Sequence, residues 1–411
     1  MDFDLTMPRD IYLPLYGRVE HDANESMAWN LCQTEALARL RDISLACTPS
    51  RYVPHGQAAN RFQHSVGASV LARQLCDQEA ELSSQRDLLV AACLLHDSAS
   101  PPFSHVAEPF LYARSGLHHD QAVAGVLAAG GEVATVLEEH DVNPERVLDT
   151  ICGRGPLGPL MAGSIDLDNI DNSLHLLISL GFTGKLPYKP QRLTKALRYK
   201  NGRASIALDD ISFAQLLGWR AARRELYNRL GSLVYLSSTS MLYRAIDLAD
   251  QAGAIENSFF TADETEALTI LKSSTEGSQI LLSALQCWRQ YPCSVYRVED
   301  SEDPRVPGLY GNVELRRQAA DQIASILDLA PHQVCLYAGR EKGYRAIDLS
   351  FSGEPQLVKA AQAAFAASQP RQAVAIFVDK SAALSEQRVE AAWQMALREL
   401  PATLGAVHSF F

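Results

Sequence analysis

The sequence predicts a mainly α fold: a long helical region followed by a smaller C-terminal α+β unit. From about Glu35 to about Trp288 the apolar residues recur at helical spacing, and strand-like alternation is nearly absent. After "CWRQYPCSVYRVEDSEDPRVPG" short apolar runs of strand character alternate with helical stretches, so a boundary is expected near Pro292, dividing residues 1–291 from 292–411. The bulk composition agrees: 411 residues with 47% apolar and 21% charged side chains suffice for two or three ordinary domains.

In chain order, "HSVGASVLARQLCDQEAEL", "QRDLLVAACLLHD", "HHDQAVAGVLAAG", "PERVLDTICG" and "DLDNIDNSLHLLISLG" read as helices bounded by Pro, Gly or Ser. "SFAQLLGWRAARRELYNRLG" and "STSMLYRAIDLADQAG" follow as two more. Beyond Pro292, "SVYRV", "QVCLYA", "AIDLSFS" and "AVAIFV" read as strands. The stretches "ELRRQAADQIASILDLA", "PQLVKAAQAAFAAS" and "SEQRVEAAWQMALREL" read as helices between or after them. The order β-α-β-β-α-β-α fits a small α+β sandwich, with a ferredoxin-like arrangement as one option.

The charge sum of −11 disfavours wrapping nucleic acid and offers no attraction to an anionic membrane, so stable nucleic-acid binding is not expected and any phosphate site must be local. "MDFDLTMPRDIYLPLYG" lacks the basic start of a signal peptide, and no run approaches the roughly 20 apolar residues of a membrane span, so a cytoplasmic location is expected. The cysteines Cys32, Cys47, Cys76, Cys93, Cys152, Cys287, Cys293 and Cys335 include no C-x-x-C, which argues against a zinc ribbon or a disulfide framework.

The chemistry concentrates in "LLVAACLLHDSASPPFSHVAE", Leu88 to Glu108. An apolar helix running into His96–Asp97 sets two ionisable groups at the edge of a core, where each needs a partner or a metal. His64, in "NRFQHSVGAS", stands on the preceding predicted helix, and "SIDLDNIDNSLHL" offers Asp166, Asp168 and Asp171, only some of which can share a face. Two His and two Asp would make a mixed N/O site for one divalent metal ion (Mn, Fe, Mg, Co, Ni or Zn) with positions open to water. His105 and Glu108 are three apart and can meet on one helical turn.

H…HD…D on consecutive helices resembles the signature of the HD-domain phosphohydrolase superfamily. "NRFQHSVG" and "HDSASPPFSHVAE" resemble its deoxynucleoside-triphosphate (dNTP) triphosphohydrolase branch, over about residues 35 to 255. The resemblance implies a helical HD-domain catalytic core in which His64, His96, Asp97 and Asp168 hold the metal, Asp168 as the middle residue of "DLDNID". It also implies that His105 does acid–base work at the scissile phosphate, that Glu108 orients it and that His119, in "LHHDQAV", lines the site. Arg61 precedes the first ligand as in relatives, and Arg244, in "MLYRAIDLA", resembles a phosphate-contacting Arg; both are candidates for substrate binding, with a plain salt bridge as the other reading of Arg244. The implied activity is hydrolysis of a dNTP to deoxynucleoside and inorganic triphosphate, by a homo-oligomer with a nucleotide substrate. The C-terminal unit is then expected to serve assembly or regulation.

The sequence departs from the family pattern in places. H-D-x-G-H or H-D-x-G-N becomes His96-Asp97-Ser98-Ala99-Ser100, and Asn169, Asn172 and Leu176 stand where mammalian-type relatives have Lys, Tyr and Asp. Ser can hydrogen-bond but cannot shuttle protons as His does. "YKPQRLTKALRYKNGR", Tyr188 to Arg203, reads as a solvated basic loop and helix face, or as an anion site for a second nucleotide. Three alternatives remain: a phosphatase or phosphodiesterase on another phosphoester, a dinuclear iron oxygenase using His119 and His140, and an inactive nucleotide sensor.

Overall fold

The computed structural model describes residues 10–20, 26–53, 59–299, 305–340, 345–366 and 371–401. The central helix is Arg86–Leu95, in which every residue from Leu88 to Leu95 is buried, so it is apolar all round and must be enclosed. Around it pack Arg61–Gln78, Ser26–Gln33 and Pro144–Ile151. Leu167–Ser179 packs on Arg61–Gln78, and Asp210–Leu230 packs on Leu167–Ser179. Side-chain caps fix the two helices that carry His64 and Asp168: Asn60 accepts from the Gln63 amide at 2.9 Å, and Asp166 accepts from the Asn169 amide at 2.7 Å. No helix among the described residues is long and apolar enough to cross a membrane.

The helical region also holds strands the periodicity did not announce. Asp10–Leu13 and Gly17–Glu20 form a hairpin, and Leu197–Lys200 pairs antiparallel with Arg203–Leu208. The turn of the second hairpin is Asn201-Gly202 with φ of 52° and 71°, the left-handed pair that a two-residue type I′ turn requires. The stretch read above as a solvated loop and helix face is therefore the short helix Pro190–Thr194 followed by this hairpin.

In the C-terminal part, Gln372–Val378 lies between Cys293–Glu299 and Val334–Arg340, antiparallel to both. Its side chains alternate between two cores. Val374, Ile376 and Val378 join Leu315, Ile323 and Trp393 under the helices Val313–Leu327 and Glu386–Glu399, whereas Ala375 and Phe377 join Met241 and Ile246 of the helix Leu233–Gln251. The ferredoxin-like option needs a fourth strand, and this sheet has three among the described residues. The strand expected in "AIDLSFS", observed as Ser350–Gly353, pairs in parallel with Arg203–Leu208 instead. The adjoining Ile347 and Phe365 are buried in the helical core.

Candidate metal centre and acid–base group

His64 is carried by the Arg61–Gln78 helix, His96 caps the end of Arg86–Leu95, and Asp168 sits in the first turn of Leu167–Ser179. Their atoms converge. His64 Nε2 lies 3.2 Å from His96 Nε2, 3.0 Å from Asp168 Oδ1 and 4.0 Å from Asp97 Oδ2, and His96 Nε2 lies 3.5 Å from Asp97 Oδ2. Each imidazole is oriented from behind: His64 Nδ1 donates to Asp171 Oδ2 at 2.6 Å, and His96 Nδ1 donates to the Cys93 carbonyl at 2.8 Å. With both Nδ1 atoms committed as donors, the two Nε2 atoms face each other beside two carboxylates, an arrangement that calls for a cation, whether a proton on His64 or a metal ion.

Asp97 gives the test of fit. Its Oδ1 accepts from Arg61 Nη1 and, at 3.1 Å, from Ser100 Oγ, while its Oδ2 is buried without a hydrogen-bond partner and turned toward the two imidazoles. A buried carboxylate oxygen left without a donor is costly unless a ligand completes it. Two imidazole nitrogens and two carboxylate oxygens are a donor set that suits a divalent transition metal or Mg. Asp168, whose side chain is 27% exposed, is the open side of this cluster, and Asn172 Nδ2 donates to its Oδ1 at 2.7 Å.

The electrostatics agree. Burial opposes protonation of His64, but Asp168 and Asp171 outweigh it and push its pKa up to about 10 without a metal. Burial would raise Asp97, but Arg61, His96 and His64 hold it below the ordinary carboxylate range. Asp166, buried beside Asp168, is pushed up to about 7.

Next to this cluster Glu108, 1% exposed, accepts from His105 Nδ1 at 2.9 Å and from His119 Nδ1 at 2.6 Å. His119 Nε2 lies 3.9 Å from Asp97 Oδ1, which joins the two groups. Burial works against ionised Glu108, but His119 and His105 carry it well below the usual range, and Asp120 and Glu108 raise His119 against its own burial. The His105 side chain is 38% exposed, and its Nδ1 is held by Glu108. Phe103 and Ser104, at φ of 62° and 51°, make the left-handed kink that turns the chain into His105.

The structure thus brings together His64, His96, Asp97, Asp168, His105, Glu108, His119 and Arg61. Arg61 is buried and engaged by Asp97 and, through Nε at 2.9 Å, by Ser104 Oγ, which places it behind a ligand candidate. Arg244 is placed elsewhere: it is 2% exposed and bonded to Asp247, Asp321 and the Pro331 carbonyl, which is the salt-bridge reading. Ser100 holds Asp97, and its carbonyl, like that of Ser98, accepts from Arg39 Nη2, at 2.7 and 3.1 Å. Asn169 is buried, with its amide on Asp166 and its Oδ1 accepting from Arg223 and Arg345. His140 caps the helix Glu132–Glu139 and joins no metal-capable group among the described residues. Asn172, Arg39 and Asp171 as second partners were not legible beforehand; each role depends on a neighbour that the fold supplies.

The HD-domain family profile matches residues 61–152, which include His64 through His119 and end before Asp168. The chain is 30% identical over 156 residues to protein YwfO of Bacillus subtilis, covering 36% of this chain and 35% of that protein. It is 35% identical over 100 residues to the deoxynucleoside triphosphate triphosphohydrolase SAMHD1 of Bos taurus, covering 23% of this chain and 16% of the relative. The alignments span less than half the length of these curated relatives. A crystal structure of a hypothetical protein from Aquifex aeolicus shares the fold over 94% of this chain and 99% of that one, with a TM-score of 0.68 and 17% identity. Residues 61–152 match the HD-domain family, and the chain resembles the dNTP triphosphohydrolase branch of the HD-domain phosphohydrolase superfamily.

Proposed function

We propose that this chain is a metal-dependent phosphohydrolase acting on nucleotides, hydrolysing a dNTP to deoxynucleoside and inorganic triphosphate. The observation that carries the reading is the buried, partnerless Oδ2 of Asp97 beside the two Nε2 atoms of His64 and His96. His64, His96, Asp97 and Asp168 would hold the ion, and a divalent metal at such a site polarises a phosphoryl oxygen and lowers the pKa of water. His105 moves a proton at Nε2 while Glu108 fixes its Nδ1, and the second bond from Glu108 holds His119 against Asp97. Arg61 acts by keeping Asp97 ionised and aimed, and Arg244 acts in the fold.

A second reading, another phosphoester as substrate, is favoured by Asn169 and Asn172. Both amides are turned into the protein, onto Asp166 and Asp168, at positions the resemblance assigns to substrate readout. In this proposal the unit beyond Pro292 serves assembly of a homo-oligomer or its regulation.

The deciding experiment incubates purified protein with Mn²⁺, Mg²⁺, Co²⁺ or Fe²⁺ and each dNTP and NTP, singly and mixed, resolving triphosphate from phosphate. Triphosphate release lost in Asp97→Ala supports the first reading. Release of phosphate alone, or turnover only of other phosphoesters, supports the second.

A further inference from the structure

Asp171 is 0% exposed and accepts three hydrogen bonds from three parts of the chain. His64 Nδ1 and His175 Nδ1 both reach Oδ2, at 2.6 and 2.8 Å, and the Tyr16 hydroxyl reaches Oδ1 at 2.5 Å. Tyr16 stands in the turn of the N-terminal hairpin, whose Leu13 and Val19 are buried in the helical core, so the hydroxyl is delivered by an anchored element. His175 lies one turn after Asp171 on the same helix, and its Nε2 is buried without a partner. A leucine there would avoid that unpaired nitrogen, so what the imidazole contributes is its Nδ1–H to Asp171.

Gly67 is the matching concession on the facing helix, one turn after His64. A Cβ there would collide with Asp171 Oδ1 and come within 2.9 Å of Tyr16 Cε2. Glycine inside a helix weakens it relative to alanine, and here its absent side chain is what lets the carboxylate and the phenol close on His64.

We infer that Tyr16 and His175 are positioning residues for the metal ligand His64, acting through Asp171, an inference that rests on the metal reading above. With only His64 as donor, a buried carboxylate could turn away or share its second oxygen. Donors on both oxygens fix its plane, so that Oδ2 lies on the His64 Nδ1–H and Nε2 is held toward Asp168 and His96. The N-terminal hairpin is then part of the metal site, although it lies outside the HD-domain match.

The test is Mn²⁺ titration, by calorimetry, of the EDTA-stripped full chain as wild type, Tyr16→Phe, His175→Leu and His175→Asn. Asn can place its Nδ2–H where the imidazole Nδ1–H lies. We expect Tyr16→Phe and His175→Leu to weaken Mn²⁺ binding about 10-fold or more, as loss of such partners commonly does, and His175→Asn to recover most of the loss. Activity of Tyr16→Phe should return at saturating Mn²⁺, which a general folding defect would not allow. A Tyr16→Phe affinity within twofold of wild type overturns the inference while leaving the metal reading intact. A wild-type chain that takes up no Mn²⁺ overturns both, and because Tyr16 is half-buried its variant decides the matter even if His175→Leu does not fold.

Discussion

Two clusters of charged side chains in this molecule, each built around buried residues, look alike in the sequence and differ in their bonding. In one, Arg244 bonds Asp247 and Asp321 while Arg317 bonds Asp247 and Asp250, both at 2.7 Å, so that the helix Leu233–Gln251 is tied to Val313–Leu327 and every charge meets its opposite. In the other, His64, His96, Asp97 and Asp168 converge with two Nε2 atoms face to face and one carboxylate oxygen without a donor. The first is complete within the protein. The second leaves a carboxylate oxygen unmatched within the protein, as expected if a bound ion completes it, and that difference, more than residue type, is what sets a candidate site apart from a structural ion-pair network.

The contrast can be broken experimentally. Asp168→Ala should abolish phosphoester hydrolysis, by at least about 10⁴-fold, with little change in the denaturation midpoint of the metal-free chain because Asp168 is partly exposed. His105→Ala should lower kcat by about 10²–10⁴-fold while Mn²⁺ affinity holds, since in the proposed function His105 moves a proton and is not one of the four residues that would hold the ion. Arg244→Met should do the reverse. It should cost about 3 kcal/mol of stability in urea melts, because Asp247 loses a buried partner, and leave kcat/KM within a few-fold. Loss of hydrolysis in Arg244→Met at full stability would erase the distinction.

The smallest effect concerns pH. Glu108 has a folded pKa well below its ordinary 4.5, held there against burial by His119 and His105. A depressed carboxylate contributes stability that is present above the unfolded value and lost as pH falls through the folded one. The difference in stability between wild type and Glu108→Gln, about 2 kcal/mol at pH 7, should therefore shrink as pH drops below about 4.5. A difference that is constant from pH 7 to 3 would show that Glu108 is not the ionised partner of the two histidines.

What could be read from the sequence was what short spacing controls. The pair His96–Asp97 at the end of an apolar helix, and the three-residue step from His105 to Glu108, set their own geometry, and the 2.9 Å contact follows even though His105 sits in a 3₁₀ turn before the helix. Asp168 needed the resemblance, because spacing alone does not separate it from Asp166 and Asp171; the structure gives those two the tasks of capping the helix and backing His64. Tyr16 and Asp171 are 155 residues apart, and no local pattern reports such a contact. The Asn201-Gly202 hairpin did carry a local signal, masked by the basic residues around it. The strand Ser350–Gly353 was legible as a strand, but its partner was set by which open edge the fold presented.

The most direct measurement is divalent-metal stoichiometry, by calorimetric Mn²⁺ titration of the stripped full chain, for wild type, Asp97→Ala and Arg244→Met. One ion per chain in wild type and Arg244→Met, and none in Asp97→Ala, is the predicted result. No saturable ion in wild type, or one that persists in Asp97→Ala, would contradict the claim that the histidine–aspartate cluster is a metal centre.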